Sequence, residues 1–167
     1  MSIGDSISGW TQHGRLVDVG KRWGISPMRW LYVVPEVIRE IEGKGELRSA
    51  AFAQAQAFLE GGSLTYSFNR RPDAMMRRLA PRKRKAPPDV WEMRIRYPRP
   101  GARIYGLFAG RNIFIGTEFV ERDQTSGDMS AEILRSRAVW QNLFQGYPAI
   151  VSEQISEYLD AHVHKAI

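Results

Sequence analysis

The sequence predicts an α+β fold in which helices are separated along the chain from an antiparallel sheet. Three short alternating runs joined by tight turns are typical of an antiparallel meander, and they span 90–97, 102–109 and 112–120. Amphipathic segments lie before and after these runs rather than between them. The chain has 167 residues, of which 43% are hydrophobic, so it suits one compact domain with short appendages.

The predicted domain covers 27–145 and follows an N-terminal arm, 1–26, that is rich in Gly and Ser. The apolar run RWLYVV at 29–34 predicts the first strand. Pro35 suits the first turn of a short amphipathic helix that glycine closes. A second amphipathic helix is predicted over 46–62, where a glycine pair ends it.

The second half of the chain carries the predicted sheet and two further helices. Residues 63–89 are predicted as a long connection that contains the basic run RRLAPRKRKAPPD. After the three strands, 126–144 is predicted as a helix that packs on the sheet. Apolar residues at four-residue spacing predict an amphipathic C-terminal helix in 146–167, and they are Val151, Ile155, Leu159 and Val163.

Charge is concentrated in one part of the chain. The formal net charge is +6, and twelve of the 24 basic residues lie between Arg70 and Arg103, opposed there by three acidic residues. Such clustering predicts a polyanionic partner, either nucleic acid or an anionic surface. Because no apolar run approaches ~20 residues and no signal-peptide pattern is present, we expect no membrane span and a cytoplasmic location.

The chemistry that the composition allows is narrow. The chain has no cysteine, which excludes disulfides, cysteine nucleophiles and thiolate metal sites. Its three histidines, His13, His162 and His164, are scattered toward the two ends. We therefore predict neither a metal site nor a cofactor.

The candidate site lies in the hairpin VWEMRIRYPRPGARIYGLF. Residues two apart in a strand share a face, so charged side chains line one face and the intervening apolar ones form the core face. Residues across the hairpin and just past the third strand can join them. The predicted group is Glu92, Arg94, Arg96, Arg103, Tyr105 and Arg122. The open alternative is an ordinary solvated sheet face in which Glu92 is a cross-strand partner of the arginines.

Three segments, in this order, resemble the RelE/ParE toxin superfamily and especially its HigB-like, phage-derived branch. PEVIREIEGKGELRSAAFAQAQAFLEGG is similar to the paired N-terminal helices of that branch, and DVWEMRIRYPRPGARIYGLF to its central hairpin. FVERDQTSGDMSAEILRSRAVW resembles its strand end and final helix. The resemblance covers about 29–142 and implies a curved antiparallel sheet with two helices on one side and a concave basic surface.

The resemblance implies a metal-independent mRNA endoribonuclease, often ribosome-associated, that a cognate antitoxin neutralises. It places Arg94, Arg103 and Arg122 among the phosphate-binding residues and Glu92 where other members carry a base. Two features depart from the family pattern. Glu121–Arg122 stands where paired lysines are usual, and no Tyr or His occurs between Tyr105 and Tyr147.

RNA cleavage without a metal requires stabilised phosphate charge and proton transfer. Arginine donates fixed hydrogen bonds to phosphate but stays protonated, so another side chain must move the proton. The candidates for that role are Glu92, Glu118, Tyr97, Tyr105 or a residue of a mobile segment. The catalytic group is accordingly predicted as Glu92, Arg94, Arg103, Tyr105 and Arg122. The predicted nucleic-acid contacts are Arg77, Arg78, Arg82, Lys83, Arg84, Lys85, Arg96 and Tyr97.

Two other functions remain open at the level of sequence. The same scaffold could be a non-catalytic binder that grips nucleic acid, or a protein such as gyrase, as ParE-like members do. It could also be a phage-encoded modulator whose terminal helices carry the partner site.

Overall fold

The computed structural model describes residues 2–69, 73–79, 86–160 and 162–166, and it confirms the predicted α+β class. Its helices are α1 Ile3–Gln12, α2 Val19–Trp23, α3 Pro35–Glu42, α4 Glu46–Leu59 and α5 Ser130–Leu143. Its strands are β1 Val17–Asp18, β2 Trp30–Val33, β3 Leu64–Ser67, β4 Met76–Arg78, β5 Val90–Ile95, β6 Ala102–Gly110, β7 Ile113–Glu121 and β8 Val163–Lys165. The strands predicted at 29–34, 90–97, 102–109 and 112–120 are therefore confirmed as β2, β5, β6 and β7.

The strands form one sheet in the order β1-β2-β7-β6-β5-β4-β3-β8. Its centre, from β4 to β7, is antiparallel, which confirms the predicted meander of β5, β6 and β7. The expectation of a wholly antiparallel sheet is wrong, because β2 runs parallel to β7 and β3 runs parallel to both β4 and β8. Parallel neighbours require long connections, and helices α3 and α4 lie within the connection from β2.

Helices cover both faces of the sheet. On one face the ring of Phe58 from α4 lies 6.3 Å from the ring of Phe114 on β7, and α3 also packs on β7. On the other face α5 packs against β6 and β7, where its Arg135 Nε lies 2.7 Å from Glu118 Oε1. The sheet is thus the middle layer, and the charged residues of β5 and β6 lie on the α5 side.

A β-bulge separates the two ends of the β6–β7 ladder. Tyr105 pairs with Glu118, but the next residue, Gly106, pairs with Gly116, so Thr117 is the extra residue. The Thr117 hydroxyl donates a 3.1 Å hydrogen bond to the Tyr105 carbonyl. The strands approach so closely here that a Cβ on Gly106 would lie 2.2 Å from the Ile115 carbonyl oxygen.

We therefore expect Gly106→Ala to reduce the free energy of unfolding by about 1–3 kcal/mol or more, because the backbone of β7 must move to admit the methyl group. Gly9→Ala is the matched control. Gly9 lies in α1 with nothing within 4 Å of an added Cβ, so this change should stabilise by about 0.5–1 kcal/mol. Urea denaturation measures both, and equal stability changes would contradict the close approach.

The N-terminal segment is more ordered than the predicted arm. Ser2 and Asp5 form a capping box that begins α1. Trp10 donates a 2.6 Å hydrogen bond to the Leu143 carbonyl, and Ile7 and Leu16 are buried in the core. In this segment Gly and Ser alternate with single apolar residues, so the sequence shows no sustained helical period that would predict α1.

Two strands lie within the segment that was predicted as a long connection. β3 contributes the buried Leu64 and β4 the buried Met76, and they extend the sheet beyond β5. Both strands are so short that their apolar pattern did not stand out from the surrounding basic residues.

The predicted C-terminal helix is wrong. Between 146 and 160 the structure has only a one-turn 3₁₀ helix, Ile155–Glu157, before β8 pairs with β3. Leu159 of the predicted stripe is buried in the core, and so is Tyr158, which lies off that stripe and whose ring packs 4.8 Å from the ring of Trp91. Aromatic packing against β5 therefore overrides the helical spacing of the apolar residues. Because β8 joins the sheet, this C-terminal segment is part of the domain rather than an extension.

Candidate functional site

Glu92 lies at the centre of a cluster of three arginines. Its Oε1 is 2.6 Å from Arg94 Nε and 2.8 Å from Arg77 Nε, and its Oε2 is 3.3 Å from Arg103 Nε. The sheet register produces this arrangement, because Arg77 and Tyr105 flank Glu92 on neighbouring strands and Arg94 pairs with Arg103. One carboxylate thus faces three positive charges, which leaves an excess of two.

Beside this cluster is an open arginine hollow of about 240 Å³. Among the described residues, its lining contains five arginines and no acidic side chain. The lining residues are Arg94, Arg96, Tyr97, Arg99, Pro100, Arg103 and Arg122. We use the name arginine hollow for this set of residues below.

The turn between β5 and β6 builds one wall of the arginine hollow. Gly101, at φ +80°, reverses the chain where an added Cβ would lie 2.4 Å from the Ile95 carbonyl oxygen. The backbone N–H of Arg122 donates a 2.9 Å hydrogen bond to the Gly101 carbonyl, which brings the 3₁₀ turn Arg122–Gln124 beside the hairpin. Residues distant in sequence are thereby gathered around one opening.

The electrostatics of the arginine hollow favour an anion. Burial lowers the pKa of Arg103, Glu92 opposes that shift, and the neighbouring charges of Arg94 and Arg122 reinforce it. Positive charges that repel one another are stabilised electrostatically when an anion binds between them. Arginine also presents paired donors whose geometry matches a phosphate group.

The other end of the charged face is closed by α5. Tyr105 is fully buried, and its hydroxyl has no hydrogen-bond partner among the described residues. Burial and then the charge of Glu92 raise the pKa of Tyr105 well above its ordinary value. Burial also raises the pKa of Glu118, against the opposing effect of Arg135 on α5.

The structure brings most of the predicted catalytic group together but divides it by depth. Arg94 and Arg103 are 7% and 8% exposed and reach the arginine hollow, and Arg122 lies exposed at its rim. Glu92 and Tyr105 are 0% exposed, so they are not accessible to a substrate in the hollow. The contacts of Glu92 fit a role in holding the arginines rather than contact with a ligand.

Apart from Arg78, the predicted nucleic-acid contacts divide into three groups. Arg96 and Tyr97 line the arginine hollow, and Tyr97 is 63% exposed. Arg77 joins the Glu92 cluster. The remaining basic run lies outside the described residues, and it comprises Arg82, Lys83, Arg84 and Lys85.

The prediction that Arg78 contacts nucleic acid is wrong. Strand alternation turns it to the opposite face from Arg77, where it is buried. It donates to the Ser152 carbonyl at 2.6 Å and to the Glu153 carboxylate at 2.8 Å, and its guanidinium lies 4.4 Å from the Phe68 ring centre. Arg78 thus anchors the C-terminal segment.

Sequence reasoning missed one arginine of the hollow. Arg99 lies in the YPRPG turn, and its guanidinium is 5.9 Å from the ring centre of Tyr97. The signal that could have identified it is the turn itself, since a short turn carries its side chains to the same end of the hairpin as Arg94 and Arg103.

In the part of the chain that the structure describes, no group of three or more His, Cys, Asp or Glu side chains is arranged to hold a metal ion. Within the same residues, none of the helices combines the length and the apolar character that crossing a membrane requires. The arginine hollow is the candidate site because five arginines line one opening there.

Comparisons with known proteins add no relative. No family model, curated protein or solved structure matches the chain. The resemblance to RelE-like toxins therefore rests on the three sequence segments quoted above.

Proposed function

We propose that the chain is a toxin-like, metal-independent endoribonuclease that cleaves mRNA, in association with the ribosome, and that a cognate antitoxin neutralises. The observation that carries the proposal is the arginine hollow, in which five arginines and a tyrosine surround one opening. RNA presents one phosphate per nucleotide together with unstacked bases, and arginines beside exposed aromatic residues suit both.

In the proposed reaction the ribose 2′-oxygen attacks the adjacent phosphorus, and the bond to the 5′-oxygen breaks. The products are a 2′,3′-cyclic phosphate and a 5′-hydroxyl. Arg94, Arg103 and Arg122 stabilise the charge that develops on the phosphate oxygens. Water accepts the proton from the 2′-hydroxyl.

Tyr97 is proposed to protonate the leaving oxygen and then to regain a proton from water. It is the one residue of the arginine hollow that carries a hydroxyl group, and it is well exposed. Glu92 acts as a positioning residue, because its carboxylate contacts three guanidinium groups and is enclosed. The proposed role of Glu92 thus differs from the base that the sequence suggested.

The test is cleavage of single-stranded RNA and of ribosome-bound mRNA by purified protein in EDTA. We expect fragments that end in 2′,3′-cyclic phosphate and 5′-hydroxyl groups. Arg122→Ala should reduce the cleavage rate by about 10²-fold or more, because one donor to the transition state is lost. Arg122 lies outside the Glu92 ion pairs, so folding should be unchanged.

Arg111→Ala is the matched control. Arg111 is an exposed arginine in the turn between β6 and β7, at the opposite end of the strands from the arginine hollow. The Arg111→Ala substitution removes the same charge without changing the arginine hollow, so RNA cleavage should persist. The proposed endonuclease function would be refuted if both variants lost RNA cleavage equally. It would also be refuted if the natural protein cleaved neither RNA.

The second candidate is a non-catalytic binder of nucleic acid or of a protein such as gyrase. The enclosure of Glu92 and Tyr105 favours it, since two of the predicted proton carriers are inaccessible. Tight, salt-sensitive binding of RNA with no cleavage would distinguish this function from the first.

A further inference from the structure

A second cavity adjoins the arginine hollow and differs from it in chemistry. It has a volume of about 400 Å³, within the range of small-molecule sites, and lies between α4 and the end of β5. Its walls are mostly apolar and include Ala50, Ala53, Met75, Ile95 and the Tyr97 side of the turn. We call this cavity the α4 slot.

The α4 slot and the arginine hollow share one wall. Both are lined by Arg94, Arg96 and Tyr97. A guanidinium nitrogen of Arg96 donates to the Asp73 carbonyl, which ties this shared wall to the chain preceding β4. A ligand whose anionic group lies in the arginine hollow can therefore extend a second group past Tyr97 into the slot.

Gln54, one of the residues that line the α4 slot, has a side-chain amide nitrogen without a partner among the described residues. The Nε2 atom of Gln54 is buried and makes no hydrogen bond to any described residue. A buried donor of this kind costs free energy unless a ligand accepts its hydrogen bond. A saturated apolar group would leave this amide unpaired, whereas the edge of a nucleobase carries the required acceptors.

Taken together, the two cavities match the two parts of a nucleotide. The hollow offers guanidinium donors for phosphate, and the slot offers an aromatic wall, alanine surfaces and an amide. Stacking on an aromatic side chain suits any base, while a single amide can favour some base edges over others.

We propose that the α4 slot binds the base of the nucleotide whose phosphate occupies the arginine hollow, with Tyr97 against the base and Gln54 at its edge. This inference rests on the proposed function, since it takes the phosphate to lie among the arginines. It assigns helix α4 a direct role in recognition, which the sequence did not indicate.

The test compares two uncleavable trinucleotides of equal charge, oligo(dA) and an abasic analogue with the same phosphates. Isothermal calorimetry should show that oligo(dA) binds at least about tenfold more tightly, because stacking and the Gln54 hydrogen bond require a base. Ala53→Leu should remove most of this difference by filling the slot, while binding of the abasic trimer stays unchanged.

Ala57→Leu is the matched control. Ala57 lies one turn along α4 and does not line the slot, so the same change there should keep the preference for oligo(dA). Gln54→Leu provides a second variant, which should weaken oligo(dA) binding about fivefold or more and leave the abasic trimer unaffected.

The possible outcomes distinguish the proposed base site in the α4 slot from the proposed phosphate site in the arginine hollow. Equal binding of the two trimers, each abolished by Arg122→Ala, would overturn the base site and leave the phosphate site standing. If Ala53→Leu kept the full preference for oligo(dA), the proposal that the α4 slot binds the base would also be overturned. Binding of neither trimer would count against both.

Discussion

Replacement of Glu92 by glutamine is expected to reduce the free energy of unfolding by about 3–5 kcal/mol, because it leaves buried arginines without their counter-charge. The carboxylate is the shared partner of Arg77, Arg94 and Arg103, and all three are less than a tenth exposed. Glutamine keeps the shape of the side chain, so the loss reports charge rather than a cavity. Urea denaturation measures the change.

Two controls make the Glu92 result specific. Glu157→Gln removes a carboxylate from the exposed 3₁₀ turn near the C-terminus and should change stability by less than about 0.5 kcal/mol. Added sulfate should partly restore the stability of Glu92→Gln, because an anion in the arginine hollow replaces some of the lost charge. A Glu92→Gln protein as stable as the natural one would contradict the central role of this carboxylate.

The second large effect concerns Arg103. We expect Arg103→Ala to reduce RNA cleavage by about 10²–10³-fold and to relieve growth arrest when the protein is expressed in bacteria. Its guanidinium both contacts Glu92 and lines the arginine hollow, so it links the buried carboxylate to the opening where we propose that the phosphate binds. Mapping of mRNA 5′ ends in the expressing cells measures the loss of cleavage directly.

Arg103→Lys distinguishes geometry from charge. Lysine keeps the positive charge but offers no paired donors, so we expect only partial recovery of cleavage with near-natural thermal stability. Arg111→Ala again serves as the matched control at the other end of the strands. Full activity in Arg103→Ala, with growth arrest intact, would exclude Arg103 from the proposed chemistry.

The central meander was predictable because its signals are local. Alternation in β5 and β6, together with the short turn at 96–101, fixes which side chains share a face. The convergence of Arg94, Arg103 and Glu92 follows from that alternation. The accessibility of these residues does not, because it depends on how far α5 extends over the sheet.

The parts that escaped prediction depend on contacts between distant segments. Arg77 joins Glu92 only because β4, a strand of three residues, pairs beside β5. Tyr158 enters the core only because the C-terminal segment returns to β3 as β8. The α4 slot likewise forms between a helix and a turn about forty residues apart, and no spacing within either segment indicates it.

The order of strands in the sheet has a consequence for how the chain reaches this structure. β2 pairs with β7, and β3 pairs with β8, so neighbours in space are separated by most of the domain in sequence. Closing such long loops costs chain entropy before their contacts form, so we expect folding in the millisecond-to-second range that is typical of high contact order. The antiparallel hairpins that carry the arginines are local by comparison, so we expect them to assemble first, with both sheet edges joining last.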